Sequence, residues 1–215
     1  MKQMTTVYLL RHGQSEANVA QVFTGQNDRY PLSLLGHRQA DLAACYLASV
    51  GVQRIYASDL TRAVQTASHV ANALCLPVHT DTQLREIYAG EWEGQPFADL
   101  VLRYPRTYAS WRAGTCCNPT GGETASEAAT RFYTAVERLC VQNADKVLLI
   151  VAHAMVIRCF ECLVCYGTLQ KLPNVSFVKN AAVSRYMYEN GKFHLCERDL
   201  CTYLGADATE LPKTV

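Results

Sequence analysis

Short continuous apolar runs alternate along the chain with longer segments in which apolar residues recur at helical spacing. The apolar runs cover residues 6–10, 54–57, 77–79 and 146–151. The helical segments cover residues 34–50, 59–74, 96–113, 123–143 and 153–166. Runs of this length are typical of strands buried on both faces of a sheet. The alternation predicts an α/β three-layer sandwich, with a mostly parallel sheet and helices on both faces.

Turn-forming residues mark where these elements end. Gly51 closes the first long helical segment, and Ser58 or Asp59 is a candidate N-cap for the next. Asn190-Gly191 lies between two alternating segments, which predicts a hairpin and therefore an antiparallel edge strand. Residues 115–122 are rich in Cys, Pro and Gly and indicate a loop.

Neither a repeat nor a linker interrupts the chain. We therefore expect residues 1–215 to form one domain, with a lid or insertion at about residues 87–122. Within that insertion Tyr104, Tyr108 and Trp111 fit either a substrate pocket or helix packing equally well.

Composition and charge exclude several classes of function. The 215 residues are 49% hydrophobic and 18% charged, with a formal net charge of +1. This balance provides no general field for binding nucleic acid or a membrane surface, so any cationic site must be local. We find no apolar stretch of about eighteen residues and no secretory signal at the N-terminus. We therefore expect a cytoplasmic protein, and the sequence leaves a homodimer open.

The ten cysteines are many for a chain of this length. In a reducing compartment free cysteine behaves as a small hydrophobic residue, which predicts core packing. The cysteines in apolar periodic segments are Cys45, Cys75, Cys140, Cys159 and Cys162. An iron–sulfur or other redox site at Cys159, Cys162 and Cys165 is the alternative. It lacks a clear fourth ligand, and helical spacing spreads the three thiols over a broad face, so we expect neither a metal nor another cofactor.

Polar residues follow several of the predicted strands directly. Arg11 and His12 follow the first, Arg62 lies just after the second, Glu86 lies after the third, and His153 follows the fourth. Open parallel sheets bind ligands beyond the carboxyl ends of their strands. Singly, each residue also fits a surface ion pair or a packed histidine, but core packing does not require the whole set at these positions.

Five sequence blocks that include these residues, two of them in two parts (57–63 with 65–67, and 84–86 with 90–94), resemble the histidine phosphatase superfamily, whose fold is phosphoglycerate mutase-like. In the family's order the blocks are 10–18 (LRHGQSEAN), 57–63 (ASDLTRA), 65–67 (QTA), 84–86 (LRE), 90–94 (GEWEG), 121–124 (GGET) and 151–153 (VAH). The resemblance extends from about residue 5 to residue 194. A single Arg-His-Gly tripeptide is weak evidence, whereas these blocks in order are strong evidence.

The resemblance implies phosphoryl transfer through a phosphorylated His12. Arg11 and Arg62 are expected to bind phosphate oxygens with forked, permanently charged donors, and Asn18 to add a neutral donor. His153 would donate to an equatorial oxygen. These groups would provide the charge stabilisation that Mg²⁺ provides in other phosphoryl-transfer enzymes, so no metal is required.

A general acid is also required, and the resemblance implies Glu86, with Glu91 and Glu93 as rivals by proximity. Burial of Glu86 and the negative charge of the substrate would both favour the protonated form of its carboxyl group. Thr24, Gly25 and Ala154 are expected to contact the phosphate. Ala154 departs from the family, which commonly has glycine after the second histidine, and its Cβ would narrow the pocket or fix the backbone.

The short segment between Glu86 and Gly122 favours the phosphatase branch over the mutases, which carry a longer insertion. We therefore expect hydrolysis of a small phosphorylated metabolite, as in α-ribazole phosphatase-like or fructose-2,6-bisphosphatase-like enzymes. A cofactor-dependent phosphoglycerate mutase-type phosphomutase is the first alternative. A catalytically silent phosphate-binding module is the second.

Overall fold

A computed structural model describes residues 4–113 and 119–208 of the chain. A six-stranded sheet forms its centre, in the order β3-β2-β4-β1-β5-β6. The strands are β1 (Met4–Arg11), β2 (Arg54–Ala57), β3 (Val78–Thr80), β4 (Val147–Ala152), β5 (Val183–Glu189) and β6 (Lys192–Leu200). All four apolar runs of the sequence are strands, so the prediction of these elements is confirmed.

The helices alternate with the strands, as predicted. They are α1 (Glu16–Ala20), α2 (Leu34–Ala48), α3 (Thr61–Leu74), α4 (Phe97–Arg103), α5 (Pro105–Ala113), α6 (Ala125–Gln142) and α7 (Ala154–Tyr166). Short 3₁₀ segments span Thr82–Leu84, Gly90–Trp92, Leu169–Asn174 and Thr202–Asp207. Pro105 separates α4 from α5, because proline removes a backbone donor inside a helix.

Strand pairing confirms the mostly parallel sheet. β4 lies between β1 and β2 and pairs in parallel with both, and β3 pairs in parallel with β2. β5 pairs antiparallel with β1, and β6 pairs antiparallel with β5 as the edge strand of the hairpin. Asn190 and Gly191 take positive φ values of 52° and 74° at the turn, as a tight hairpin requires.

Each face of the sheet is covered by its own apolar cluster. One cluster includes Phe132 of α6 and Phe160 of α7, together with Trp92, all fully buried. The other includes Leu47 of α2 and Val70 of α3. Burial on both faces explains why the central strands have continuous apolar sequences rather than alternating ones.

The predicted N-cap of α3 is wrong. Leu60 occupies the N-cap position and makes no side-chain capping bond. The Asp59 carboxylate accepts two hydrogen bonds from Arg85, at 2.7 Å from Nε and 2.5 Å from Nη2, and Ser58 Oγ accepts from the Leu60 amide. Asp59 is therefore paired with an arginine rather than with a helix terminus.

The cysteine prediction is confirmed only in part. Cys140, Cys159 and Cys162 are buried as core residues, but Cys45 and Cys75 are exposed. Cys45 lies on the exposed side of α2, which helical spacing alone does not distinguish from the inner face, and Cys75 is the C-cap residue just after α3. Cys165 is exposed as well, and the part of the chain described contains no group of three candidate metal ligands. Part of the predicted 115–122 loop, including Cys116 and Cys117, lies outside the described residues.

Within residues 4–113 and 119–208, no helix combines the length and the apolar character needed to cross a bilayer.

Candidate active site

The two histidines lie side by side at the carboxyl ends of adjacent parallel strands. Arg11, the last residue of β1, is the register partner of Ala152, the last residue of β4. His12 and His153 are the next residues of the two strands, and their ring centroids are 5.2 Å apart. Parallel pairing in register therefore brings together two side chains that are far apart in sequence.

Hydrogen bonding determines the tautomer of His12. Its Nδ1 lies 2.7 Å from the carbonyl oxygen of Gly13. A carbonyl only accepts, so Nδ1 carries the proton and the lone pair of the neutral ring is on Nε2. Burial, and then the charges of Arg62 and Arg11, lower the pKa of His12 well below its ordinary value. The ring is thus neutral, with an unprotonated Nε2.

His153 is fully buried, and neither of its ring nitrogens has a hydrogen-bond partner within the described residues. Burial lowers its pKa well below the ordinary value, and nearby arginines and His12 lower it further. Buried polar atoms are seldom left unpaired without a functional reason. A ligand oxygen that reached the pocket beside His12 would satisfy one of these nitrogens.

Close packing of the backbone after His12 requires a glycine at position 13. A Cβ on Gly13 would lie 2.5 Å from the carbonyl oxygen of Gly36, and a Cβ on Gly36 would lie 2.0 Å from the carbonyl oxygen of Gln14. Two glycines therefore let the loop after His12 cross the first turn of α2. The Gly13 amide also donates to Thr66 Oγ1 at 3.1 Å, which ties this loop to α3.

Two arginines converge on the histidines from different elements. Arg11 Nη1 donates to the carbonyl of Val178 at 2.7 Å, and Arg62 Nη2 donates to the carbonyl of Gly25 at 2.8 Å. Both side chains are buried and line the pocket, and Nε of each is unpartnered in the described structure. Burial is the main reason that each pKa falls to about 10, so both remain charged at neutral pH.

Asn18 is held in one orientation. Its Oδ1 accepts from the Ser15 amide at 3.0 Å, from Ser15 Oγ at 3.2 Å and from Asn180 Nδ2 at 3.1 Å. The side-chain NH₂ of Asn18 is therefore the group left to donate to the pocket that this residue lines. Asn180 also donates to the carbonyl of His12, which links the two residues.

Glu86 lies in the same pocket against the N-terminus of α7. Its Oε2 accepts from the Met155 amide at 3.0 Å, and its Oε1 accepts from the amides of Ile87 at 2.9 Å and Val156 at 3.2 Å. Helix N-termini favour negative charge and leave backbone donors free, so this position suits a carboxylate. Glu86 is only 9% exposed.

Neither rival carboxylate lines the pocket. Glu91 is exposed. Glu93 Oε1 accepts from the amides of Gln26 at 2.6 Å and Ala89 at 3.1 Å, so it braces the loops around the site.

The pocket is open to solvent, and the space of about 780 Å³ that it outlines includes part of that solvent. Eight of the nine residues expected at the site line it: Arg11, His12, Asn18, Thr24, Gly25, Arg62, Glu86 and Ala154. The ninth, His153, is fully buried beside His12 and is not among the lining residues. The carbonyl of Gly25 accepts a hydrogen bond from Arg62. The φ of Gly25 is +50°, in the left-handed region that favours glycine. Ala154 is the first residue of α7, where its Cβ adds a methyl group to the wall.

The outer part of the pocket is apolar, which the sequence did not reveal. Its apolar lining consists of Val22, Phe23, Ile87, Phe97, Trp111, Met155 and Phe177. Trp111 packs edge-to-face against Phe23, with ring centroids 4.8 Å apart. Tyr104 and Tyr108 instead pack on Trp92, each at 5.8 Å. Of these three aromatic residues, Trp111 lines the pocket and the two tyrosines do not.

Three further residues near the site were missed. Arg112 lines the outer pocket, Asn180 holds Asn18 and His12, and Arg131 contacts the segment that carries Glu86. None of the three lies just after a predicted strand, the position that pointed to the other site residues in the sequence. Glu123 of the GGET block was the one available pointer to Arg131, its ion-pair partner.

Together, the fold and the pocket define an α/β protein with two buried arginines around a neutral histidine at the ends of parallel strands. The sequence profile of the histidine phosphatase superfamily (branch 1) matches residues 7–198. The chain therefore belongs to the histidine phosphatase superfamily.

Curated relatives and a solved structure agree with this assignment. The chain is 34% identical over 195 residues to a probable phosphoglycerate mutase GpmB of Proteus mirabilis, covering 87% of this chain and 86% of that one. It is 35% identical over 155 residues to a bifunctional protein of Mycobacterium tuberculosis, covering 72% of this chain. That match spans only 42% of the length of the bifunctional relative. The structure of a mycobacterial glucosyl-3-phosphoglycerate phosphatase with VO₃ has a TM-score of 0.84 and 29% identity, covering 91% of this chain and 99% of that one.

Proposed function

We propose that this protein is a phosphatase that hydrolyses a small phosphate monoester through a phosphohistidine at His12, without a metal ion. The observation that carries the proposal is the bond from His12 Nδ1 to the carbonyl of Gly13. It leaves a neutral Nε2 as nucleophile beside two buried arginines, where a phosphate dianion would bind. Relatives named glucosyl-3-phosphoglycerate phosphatase support a phosphatase reaction.

In the first step His12 Nε2 forms a bond to phosphorus as the bond to the ester oxygen breaks. Arg11, Arg62 and the Asn18 NH₂ group bind the phosphoryl oxygens, and His153 donates from a ring nitrogen that is otherwise unpartnered. The three amides that hold Glu86 in the ligand-free site favour its carboxylate, so Glu86 must bind a proton together with the substrate dianion. It then donates that proton to the departing alcohol oxygen.

In the second step water attacks the phosphorus and the bond to His12 Nε2 breaks. Glu86, now a carboxylate, accepts the proton that the water loses, and inorganic phosphate leaves. The proton balance closes, because Glu86 ends as the acid with which the cycle began. Gly25 and Thr24 border the phosphate position, where Gly25 also holds Arg62, and Ala154 borders it from α7.

We propose that the described part of the predicted insertion, residues 87–113 and 119–122, forms a lid whose apolar residues hold the alcohol part of the substrate. Phe97, Trp111 and Arg112 of this segment line the outer pocket, which supports the assignment. We propose a phosphorylated metabolite as substrate, handled in the cytoplasm.

A phosphomutase is the second candidate, favoured by the 34% identity to a probable phosphoglycerate mutase. In a mutase the phosphohistidine would return its phosphoryl group to a hydroxyl of the bound product instead of to water. Incubation with 3-phosphoglycerate and 2,3-bisphosphoglycerate separates the two reactions. Rapid isomerisation with little phosphate release would replace the phosphatase assignment.

Rapid quenching in base tests the shared intermediate, because phosphohistidine is hydrolysed in acid and is stable in base. Radiolabelled phosphate ester mixed with enzyme should give acid-labile, base-stable label on the protein. His12→Ala should abolish that label, and His194→Ala, which changes an exposed histidine of β6, should retain it. Unlabelled wild-type protein that still binds phosphate would identify a silent binding module instead. Label that persists in His12→Ala would exclude His12 as the nucleophile.

A further inference from the structure

We propose that Arg131 and Glu123 form a clamp that positions Glu86 for proton transfer to the leaving alcohol. The inference rests on the proposed function and assigns to both residues a role in its chemistry. Arg131 is a positioning residue, because it contacts the backbone of the segment that carries the acid and not the phosphate site.

Glu86 needs such support because its backbone lies in no regular element. The nearest secondary structures are the 3₁₀ segments Thr82–Leu84 and Gly90–Trp92. Its carboxylate is held by amides at the start of α7, but its main chain is not part of any helix or strand ladder. Catalytic groups on loops depend on neighbouring side chains for their position.

The guanidinium of Arg131 supplies that support with every donor it has. Nη1 donates to the carbonyls of Gln83 at 2.8 Å and Arg85 at 2.9 Å, and Nη2 donates to the carbonyl of Glu86 at 3.2 Å. Nε and Nη2 donate to the two carboxylate oxygens of Glu123, each at 2.8 Å. A guanidinium has five N–H groups, and all five are used here.

Glu123 completes the clamp from the other side of the acid. Its Oε2 also accepts from the Tyr88 amide at 2.8 Å, and its own amide donates to the Tyr88 carbonyl at 2.8 Å. Gln26 Nε2 adds a second donor to the carbonyl of Glu86 at 3.0 Å. The ion pair of Arg131 and Glu123 therefore holds the backbone before and after Glu86 in sequence, at Arg85 and at Tyr88.

The bonding pattern separates this role from simple charge. Burial lowers the pKa of His153 most, and Arg131 is among the cations that lower it further. A lysine at position 131 would preserve the charge but has three donors on a single nitrogen, which cannot reproduce a bidentate pair and three carbonyl contacts. Arg131→Lys therefore distinguishes positioning from electrostatics.

The dependence on leaving group tests the clamp. An alkyl phosphate such as glycerol phosphate needs a proton on its departing oxygen, whereas p-nitrophenol departs without one. We therefore expect Arg131→Gln and Arg131→Lys to lower kcat/KM for glycerol phosphate about 100-fold, within the usual contribution of a general acid. For p-nitrophenyl phosphate we expect a loss of only about threefold, because kcat/KM covers the steps up to alcohol release. Glu123→Gln should act in the same direction.

The ratio of the two kcat/KM values in one preparation is independent of the fraction of protein that is folded. Arg138→Gln is the matched control, because Arg138 lies on the same helix as Arg131 and also forms an ion pair, with Asp81. This change should leave the ratio unchanged. Glu86→Gln sets the ratio expected when the acid is lost.

Equal losses on both esters in the Arg131 variants would overturn the clamp, as would restoration by lysine. A wild type inactive on both esters would refute the proposed function itself. An unchanged ratio in Glu86→Gln would remove Glu86 as the acid, and the clamp with it.

Discussion

The imidazole rings of His12 and His153 lie 5.2 Å apart, centre to centre, with their planes inclined by 57°. Both rings are buried beside two arginines, and the pKa of each is well below its ordinary value, first through burial. The site is therefore cationic without protonating either histidine. A phosphate dianion would supply the missing negative charge, and the neutral His12 would keep its lone pair for attack.

The first prediction concerns the protonation of this pair. In phosphate-free buffer the ring resonances of His12 and His153 should stay at their neutral positions as the pH falls through 6.5. Their lowered native pKa values mean that protons bind first to the unfolded chain, where a histidine titrates near about 6.5. The free energy of unfolding should then fall below that pH, by up to about 1.4 kcal/mol per pH unit for each histidine.

Histidine NMR and denaturant unfolding at pH 7 and pH 5.5 make the measurement. His153→Gln should reduce the slope of stability against pH, and His194→Ala, at an exposed position, serves as the control. Titration of His12 at its ordinary pKa would contradict the electrostatic description of the site.

The second prediction concerns the contact between two glycines. Gly36→Ala should destabilise the protein by about 1–3 kcal/mol, the usual cost of overpacking, because its Cβ would lie 2.0 Å from a backbone oxygen of the loop after His12. Activity should fall as that loop shifts. Gly51→Ala provides the comparison: its φ of +76° strains the backbone, but nothing lies within 4 Å of the new methyl. Gly51→Ala should lose stability and retain kcat/KM. A loss of kcat/KM in Gly51→Ala but not in Gly36→Ala would refute the packing argument.

The sheet and the central site could be predicted from the sequence because strand-end positions follow from topology. His12 and His153 are distant in sequence, but each directly follows an apolar run, and parallel strands end at one edge. The packing reason for Gly13 could not be predicted, since its neighbour Gly36 comes from another element.

The supporting residues could not be predicted in the same way. Arg131 lies in the middle of an amphipathic helix, where an arginine is normally solvated, and only the folded chain brings it to the carbonyl of Glu86. Asn180 precedes β5 in a segment without periodicity. The aromatic residues of α5 differ again: Trp111 and Tyr108 share this helix and both contact Trp92, but of the two Trp111 lines the pocket, which helical spacing alone does not reveal.

The third prediction uses the apolar outer pocket. Trp111→Ala should raise KM for naphthyl phosphate about tenfold, because a lost aromatic contact of about 1.4 kcal/mol corresponds to that factor. The effect on glycerol phosphate should be smaller, since its alcohol offers little apolar surface. Leu102→Ala is the control, because this lid residue is 80% exposed and is not among the pocket-lining residues. Equal effects on the two esters would mean that Trp111 acts on lid folding rather than on the alcohol.

The fourth prediction concerns Arg62, which joins the phosphate position to the loop beside it. Its Nη2 donates to the carbonyl of Gly25 at 2.8 Å, and its Nη1 donates to that of Asn27 at 3.2 Å. Arg62→Lys should weaken the binding of inorganic phosphate by about 10-fold or more, since lysine cannot reproduce a forked donor. Arg62→Gln should in addition raise the pKa of His12, because a charge that lowers it is removed.

Isothermal titration calorimetry with phosphate and histidine NMR on the ligand-free protein separate these two effects. Arg85→Lys is the matched control, because Arg85 pairs with Asp59 just outside the pocket lining. Arg62→Lys keeps the positive charge, so it should lose phosphate affinity while the pKa of His12 stays low. If Arg62→Gln weakened phosphate binding and left the His12 pKa unchanged, burial and Arg11 would be sufficient to keep the nucleophile neutral, and Arg62 would serve only to bind phosphate.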